Sequence, residues 1–351
     1  MPKAKSHATI EWMDVDVGGD IHRVVLKGVP LDERLSVRER MEWLSDAGDG
    51  LRQLLIEPPY GEPSFCVDLI TSPQHAQAQA AFVIMEVMGY PFFSGSNTMA
   101  TACALVESGR IAKTTDNGQQ CVRLEAPGGR VDAHVALVDG HVVSVAVEGD
   151  EAFVQAAEQR VVVAGLGEVD YQLVWSGGHY VMVDADGLGL APDQAASAEG
   201  LALAGQIIEA IQMDFNLRHP GLGDVGKPRF LHWMWSQREQ TRGDWHGIGA
   251  TYGHPGVLWR VPTGTGTAAR MALLAHAGRV AVGASLRNTS PSGATLEATL
   301  LGHGLVGEFA SIHTRVVGEP RVVGQVSLDL ASESPLLNQR NAHWLLANPS
   351  G

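Results

Sequence analysis

Two short stretches of this chain place a hydroxyl side chain directly before a glycine at the head of a helix-like run: Ser94-Gly95-Ser96-Asn97-Thr98 and Thr263-Gly264-Thr265-Gly266-Thr267. Extended to 18 residues, Ser94–Ile111 and Thr263–Val280 align without a gap and agree at Gly95/Gly264, Thr98/Thr267, Ala100/Ala269, Leu105/Leu274, Gly109/Gly278 and Arg110/Arg279. A helix start exposes backbone N–H groups that have no partner in the helix, together with a partial positive charge, so it binds carboxylates and phosphates. Gly95 and Gly264 let a ligand approach the backbone closely. Two such starts facing one another can grip one small anion from both sides and present Ser94 and Thr263 to its opposite faces. A single copy would be read as a capped helix with a tight entry turn. The repetition shifts that reading toward function. A phosphate loop is not expected, because Thr263–Thr267 lacks the lysine of GxxxxGK[ST].

The elements that would carry these turns are also repeated. In the first half, strand-like alternation in "IEWMDVDVGGDIHRVV" is broken at Gly18-Gly19, and a charged helical segment follows near Val37 to Leu55. In the second half, "YQLVWSGGHYVMVDADG" sets Gly177-Gly178 between strand-like runs, and a helical segment follows near Ala198 to Asn216. The two Gly-Gly pairs lie 159 positions apart and the two turn-helices 169 apart, so two separate features repeat nearly in phase. The spacing predicts a helix over Thr98 to Ser108, stopped by Gly109, with Ser94, Ser96 and Asn97 as capping types. Strands are expected in "CVRLEAP", "RVDAHVALVDG" and "HVVSVAVEGD". The expected division is a first domain of residues 1–155 plus 328–351 and a second of 156–327. "FVQAAEQRVVVAGLG" is read as the crossing, and the tail from Ser332 as folding back on the first domain.

Composition removes several classes. At 351 residues the chain exceeds one ordinary hydrophobic core. A formal charge of -14 opposes a broad phosphate-binding surface, so no nucleic-acid partner is expected. The segment "MPKAKSHATIEW" has no apolar core of signal length and no run of 18 apolar residues occurs, which leads to the expectation of a cytoplasmic protein without a membrane partner. Cys66, Cys103 and Cys121 form neither CxxC spacing nor an even set, so neither a disulfide framework nor a zinc site is expected.

With these residues in view, the chain resembles the proline racemase family, which includes hydroxyproline 2-epimerases and trans-3-hydroxy-L-proline dehydratases. Phe93-Ser94-Gly95-Ser96-Asn97-Thr98 stands in place of the family's Met-Cys-Gly-His-Gly/Asn-Thr. Trp259-Arg260-Val261-Pro262-Thr263-Gly264-Thr265-Gly266-Thr267-Ala268-Ala269 stands in place of its Asp-Arg-Ser-Pro-Cys/Thr-Gly-Thr-Gly-Thr-Ser-Ala. "DVDVGGDIHRVV", "LLIEPPYG" and "SGGHYVMVDADGLGL" extend the likeness along nearly the whole chain.

The resemblance implies an α+β fold of two pseudo-symmetric domains, each a mostly antiparallel sheet wrapped around a central helix, with the active site in the cleft between them. It implies no cofactor and no metal. It places Ser94 and Thr263 at the two acid/base positions, and makes Gly95, Ser96, Asn97, Gly264, Thr265, Trp259 and His179 substrate-binding residues. The family's Asp near the substrate amine is Trp259 here, and the His of its first Gly-Gly segment is Asp16. The specific activity implied by Thr at the second position is dehydration of trans-3-hydroxy-L-proline. Proline racemisation or 4-hydroxyproline 2-epimerisation stands beside it. So do a carboxylate-binding member that has lost its chemistry and an isomerase of an acid without an amine. The expected partner is thus a small amino acid or carboxylic acid, and a homodimer is left open. An aliphatic hydroxyl is a far weaker acid than a thiol and needs activation by a neighbour to move protons. His232, His246 and His254 have no ligand-like spacing, and Cys103 reads as a small buried hydrophobe.

Overall fold

The computed structural model describes residues 7–149 and 151–346. Residues 1–6, part of the segment searched above for a signal sequence, and 347–351 lie outside them. Apolar alternation makes β1 (His7–Val17) and β2 (Asp20–Lys27) an antiparallel pair, and the Gly-Gly turn between them has φ of 65° and 99°. That region is cheap only for glycine and matches the twist of a hairpin. The expected helix near Val37 to Leu55 is two helices, α1 (Val37–Asp46) and α2 (Gly50–Ile56). Ser36 and Glu39 close a capping box at the first, and between the two helices Gly48 packs against the Trp43 ring, which a Cβ there would strike.

β3 (Cys66–Thr71), β4 (Ala80–Met85), α3 (Gly95–Glu107), β5 (Gly118–Ala126), β6 (Gly129–Val138) and β7 (His141–Glu148) complete the first half. The second half runs β8 (Ala152–Val163), β9 (Gly167–Trp175), β10 (His179–Asp184), α4 (Ala198–Asp214), β11 (Phe230–Thr241), β12 (Asp244–Gly253), β13 (Val257–Leu258), α5 (Gly264–His276), β14 (Ser285–Thr289), β15 (Thr295–Val306) and β16 (Phe309–Gly318). β17 (Arg321–Ala331) and α6 (Pro335–Gln339) return to the first. Among the described residues two compact units result: 7–92 with 97–145 and 320–346, and 93–96 with 146–149 and 151–319. The segment read as the crossing is β8, paired along its length with β9; the chain changes unit at 145/146 instead.

In the first unit the strand order is β17-β1-β2-β3-β4-β5-β6, parallel at β2/β3 and β4/β5 and antiparallel elsewhere. α3 is buried on every side through Met99, Ala100, Ala102, Cys103, Ala104, Leu105 and Val106; a helix apolar all round belongs inside a sheet, and its small residues let the sheet close on it. α1, α2 and the tail residues Leu337, Ala342 and Leu345 share one core. In the second unit the order β8-β9-β10-β11-β12-β14-β15-β16 returns to β8 and closes the sheet around α5. α4 covers the outer face through Ala204, Ile207 and Ile208 against Val181, Val183 and Trp233. α3 begins at Gly95, three residues before the expected start, because Ser96 and Asn97 are in its first turn rather than ahead of it.

Candidate active site

Thr263 caps α5. Its hydroxyl accepts the Gly266 N–H at 3.0 Å, and its carbonyl accepts both the Thr267 N–H at 3.0 Å and the Thr267 hydroxyl at 2.8 Å. The cap holds φ at 54° and ψ at 145°. A β-branched residue at positive φ is a backbone outlier costing of order 1–3 kcal/mol, tolerated where the surroundings over-determine the geometry. Here they do, through three hydrogen bonds from the following turn.

Within the second unit, residues 93–96 lie against this cap. A Cβ on Gly95 would sit 3.4 Å from the Gly264 Cα, and a Cβ on Gly264 would sit 3.3 Å from the Gly95 Cα. The second of these would also lie 3.6 Å from the Ser96 nitrogen, so a side chain at either position would fill the space between the two backbones. Gly264 and Thr265 carry the first N–H groups of α5, which have no acceptor within the helix. Ser94, Ser96, Thr263 and Thr265 are all buried, and the Ser94 and Ser96 hydroxyl oxygens are 3.4 Å apart. The structure therefore brings together Ser94, Gly95, Ser96, Thr263, Gly264 and Thr265. A small pocket lined in part by Phe93, Gly95, Ser176, Gly264, Thr265 and Thr314 adjoins them.

The remaining expected residues take different places. Trp259 is 5% exposed and tilts against Phe230 at 6.3 Å, which in turn stacks on Tyr180 at 4.6 Å. The Tyr180 hydroxyl lies 2.6 Å from that of Thr265 and 3.4 Å from that of Thr263, so Trp259 ends an aromatic row that leads to the cap. His179 packs edge-on to Trp175 at 5.2 Å and to Phe215 at 4.9 Å. Burial pushes it down to about 4, so it is neutral at pH 7, and among the described residues neither ring nitrogen has a hydrogen-bond partner. Asn97 belongs to the first unit. Its amide nitrogen donates to Glu86 at 2.6 Å and its oxygen accepts from His22 Nδ1 at 3.0 Å, because its place in the first turn of α3 points it into the buried cluster of His22, Cys66, Asp68 and Glu86. Burial lifts Glu86 to about 7 in that cluster.

Several residues that spacing alone could not connect complete the surroundings of Thr263. Its hydroxyl is 2.9 Å from that of Thr251, which is 2.8 Å from His232 Nδ1. His232 and Thr251 are direct partners across β11 and β12, a register visible only in the folded sheet. Burial first and then the Arg270 charge push His232 down to about 3. One signal was present in the sequence: Arg270 is the single charged residue in the otherwise small and apolar stretch Gly264–Ala275. Burial pushes the Cys103 thiol up to about 12, and among the described residues no three His, Cys, Asp or Glu side chains are arranged to hold a metal.

Residues 12–339 match the family described as proline racemase. A protein of Marinobacter nauticus is 37% identical over 353 aligned residues, covering 98% of this chain and 97% of the relative. The 4-hydroxyproline 2-epimerase of Rhizobium etli is 29% identical, covering 91% and 88%. A crystal structure of a hydroxyproline epimerase from Agrobacterium vitis, with trans-4-hydroxy-L-proline bound, superposes with a TM-score of 0.85 at 27% identity over 94% of this chain and 93% of that one. The chain is an enzyme-family member of α+β architecture and belongs to the proline racemase family.

Proposed function

We propose that this chain moves the proton on the α-carbon of a small cyclic amino acid, removing it on one face and returning it on the other, with a hydroxyproline as the first candidate. The observation that carries this reading is the approach of two hydroxyl-glycine helix starts, with Gly95 and Gly264 so near that a Cβ on either would sit 3.3–3.4 Å from the Cα of the other. The amides of Gly95, Ser96, Gly264 and Thr265 would hold the carboxylate, and their fixed positive potential would stabilise the carbanion as charge moves onto the carboxylate. Ser94 and Thr263 would be the proton-transferring residues. Hydroxyproline bound to the Agrobacterium vitis structure and the name of the Rhizobium etli relative support the substrate class.

A second reading, dehydration of trans-3-hydroxy-L-proline, is favoured by threonine rather than cysteine at position 263. The test is incubation in heavy water with proline, its 3- and 4-hydroxylated isomers, and cyclic acids without an amine; Trp259, where the family has Asp, makes the last group informative. Deuterium at the α-carbon with inversion supports the first reading. Loss of water from the 3-hydroxylated isomer supports the second. Binding, seen as a raised melting temperature, without exchange or product for any compound would leave only a carboxylate-binding protein.

A further inference from the structure

An isolated threonine hydroxyl is a poor proton donor at neutral pH, but Thr263 is not isolated. Arg270 is 1% exposed, and its guanidinium, which can only donate, contacts Gln237 Oε1 at 2.6 Å, the Trp235 carbonyl at 2.7 Å, the Ile248 carbonyl at 2.5 Å and Asn288 Oδ1 at 3.1 Å. The last contact fixes the Asn288 amide: its oxygen faces Arg270, so its NH2 faces His232 Nε2 and the Thr267 oxygen, each at 3.3 Å. The Thr267 hydrogen is already committed to the Thr263 carbonyl. An NH2 group cannot accept, so His232 Nε2 must be the bare nitrogen of a neutral ring, and the ring proton sits on Nδ1. Nδ1–H then donates to Thr251, whose own hydrogen has Thr263 Oγ1 at 2.9 Å and the Pro262 carbonyl at 3.1 Å as acceptors. The Gly266 N–H adds a second donor to the Thr263 oxygen.

Three glycines clear the space this chain occupies. A Cβ on Gly247 would come within 2.5 Å of the Arg270 guanidinium, one on Gly249 within 2.5 Å of His232 Nε2, and one on Gly266 within 2.8 Å of His232 Nδ1 and Thr251 Oγ1. His232, Thr251, Asn288 and Thr267 are all fully buried, so the hydrogen bonds act without competition from solvent.

We infer that Arg270, Asn288, His232 and Thr251 form a donor relay directed at Thr263, in which the single Thr251 hydrogen, also within reach of the Pro262 carbonyl, turns to Oγ1 as the Thr263 proton leaves, making Thr263 the proton-giving residue and its oxygen the stabilised alkoxide. This rests on the proposed reading of Ser94 and Thr263 as the proton-transferring pair. In the step, the Thr263 O–H bond breaks and a C–H bond forms at the α-carbanion. The former O–H electron pair stays on Oγ1, where the Thr251 O–H and Gly266 N–H hold it; the enzyme resets when solvent returns a proton to Oγ1 and takes up the one that Ser94 removed from the substrate. The four relay residues are positioning residues, and His232 acts as a donor rather than as a base.

Two measurements decide it. Nitrogen-15 NMR of histidine-labelled protein, with His232 assigned by the signal lost in His232→Asn, should show the Nδ1–H tautomer; the Nε2–H tautomer overturns the relay whatever the substrate proves to be. On a substrate that the native protein inverts, Thr251→Val should lower kcat about 10²- to 10³-fold with KM within about twofold, the scale expected for one oxyanion donor, and Thr251→Ser should restore most of it. His232→Leu should lose a similar factor, and His232→Asn, which keeps an N–H near the Nδ1 position, should recover at least about tenfold of that loss. An unchanged kcat in Thr251→Val, or a His232→Asn variant as slow as His232→Leu, overturns the inference. If the native protein turns over none of the compounds, the functional reading fails, and the tautomer alone decides the wiring.

Discussion

The polar clusters beneath the two repeated helix starts differ in kind. Under α3, in the first unit, Asn97 ties His22 to Glu86, and Cys66 and Asp68 are buried beside them. Burial raises Glu86 to about 7, so that carboxyl exchanges its proton near neutral pH, and burial also lifts Asp68 well above the usual carboxylate range. Under α5, in the second unit, Arg270 remains charged and His232 remains neutral across that same range. Duplication supplied one scaffold twice, whereas the residues packed behind each start made one end responsive to pH and the other fixed. A scaffold repeat thus does not imply a chemical repeat, and the two ends should fail differently when altered.

The largest contrast is expected at the cap itself. Thr263→Val keeps the shape and removes the hydroxyl, and should cut turnover by about 10²- to 10⁴-fold, the usual worth of a positioned proton-transfer group. Steady-state kinetics on the best substrate from the heavy-water screen check this, and a loss under tenfold would break the proposed assignment. Arg270→Met should then cost of order 3 kcal/mol of folding stability, since it leaves buried acceptors on Trp235 and Asn288 and part-buried ones on Gln237 and Ile248 without this donor. Chemical denaturation measures it, and an unchanged midpoint would mean that the second unit does not depend on the relay.

Gly266→Ala should cost about 1–3 kcal/mol, because its methyl group would meet Thr263 Oγ1, His232 Nδ1 and Thr251 Oγ1, all closer than ordinary contact. The equivalent change at Asn97, to Ala, would leave turnover nearer to native while destabilising the first unit; equal kinetic effects from the two would erase the contrast between the ends. The smallest effect is the pH response. Glu86 has a folded value near 7, above its unfolded value, so its contribution is fully present below about pH 4.5 and is lost as pH rises through 7. Its neighbours His22, Cys66, Asp68 and Asp20 share that environment. The melting temperature of Glu86→Gln relative to native should therefore rise between pH 5 and pH 8. A constant difference across that range would place the titrating group elsewhere.

Much of the frame was legible because it rests on local rules. The Gly18-Gly19 hairpin follows from backbone freedom, and the repeated turn-helix from small residues at fixed spacing. The break between α1 and α2 was missed, although Gly48 signals it, because helical composition continues on both sides. The site was only half legible. Ser94, Gly95, Thr263 and Gly264 announced themselves as a repeat, whereas His232, Thr251 and Asn288 lie on β11, β12 and β14, and only the strand pairing brings them to one place. Asn97 carried a plausible ligand-binding type, yet its helical phase turns it toward Glu86 and His22.

The central claim is that the two helix starts hold different ends of one proton transfer. It is tested most directly by following α-hydrogen wash-out and inversion separately in heavy water for Ser94→Ala and Thr263→Val. The account predicts that Thr263→Val still exchanges the α-hydrogen of the bound acid while losing inversion, and that Ser94→Ala loses both. Wash-out that survives in Ser94→Ala and vanishes in Thr263→Val would contradict it.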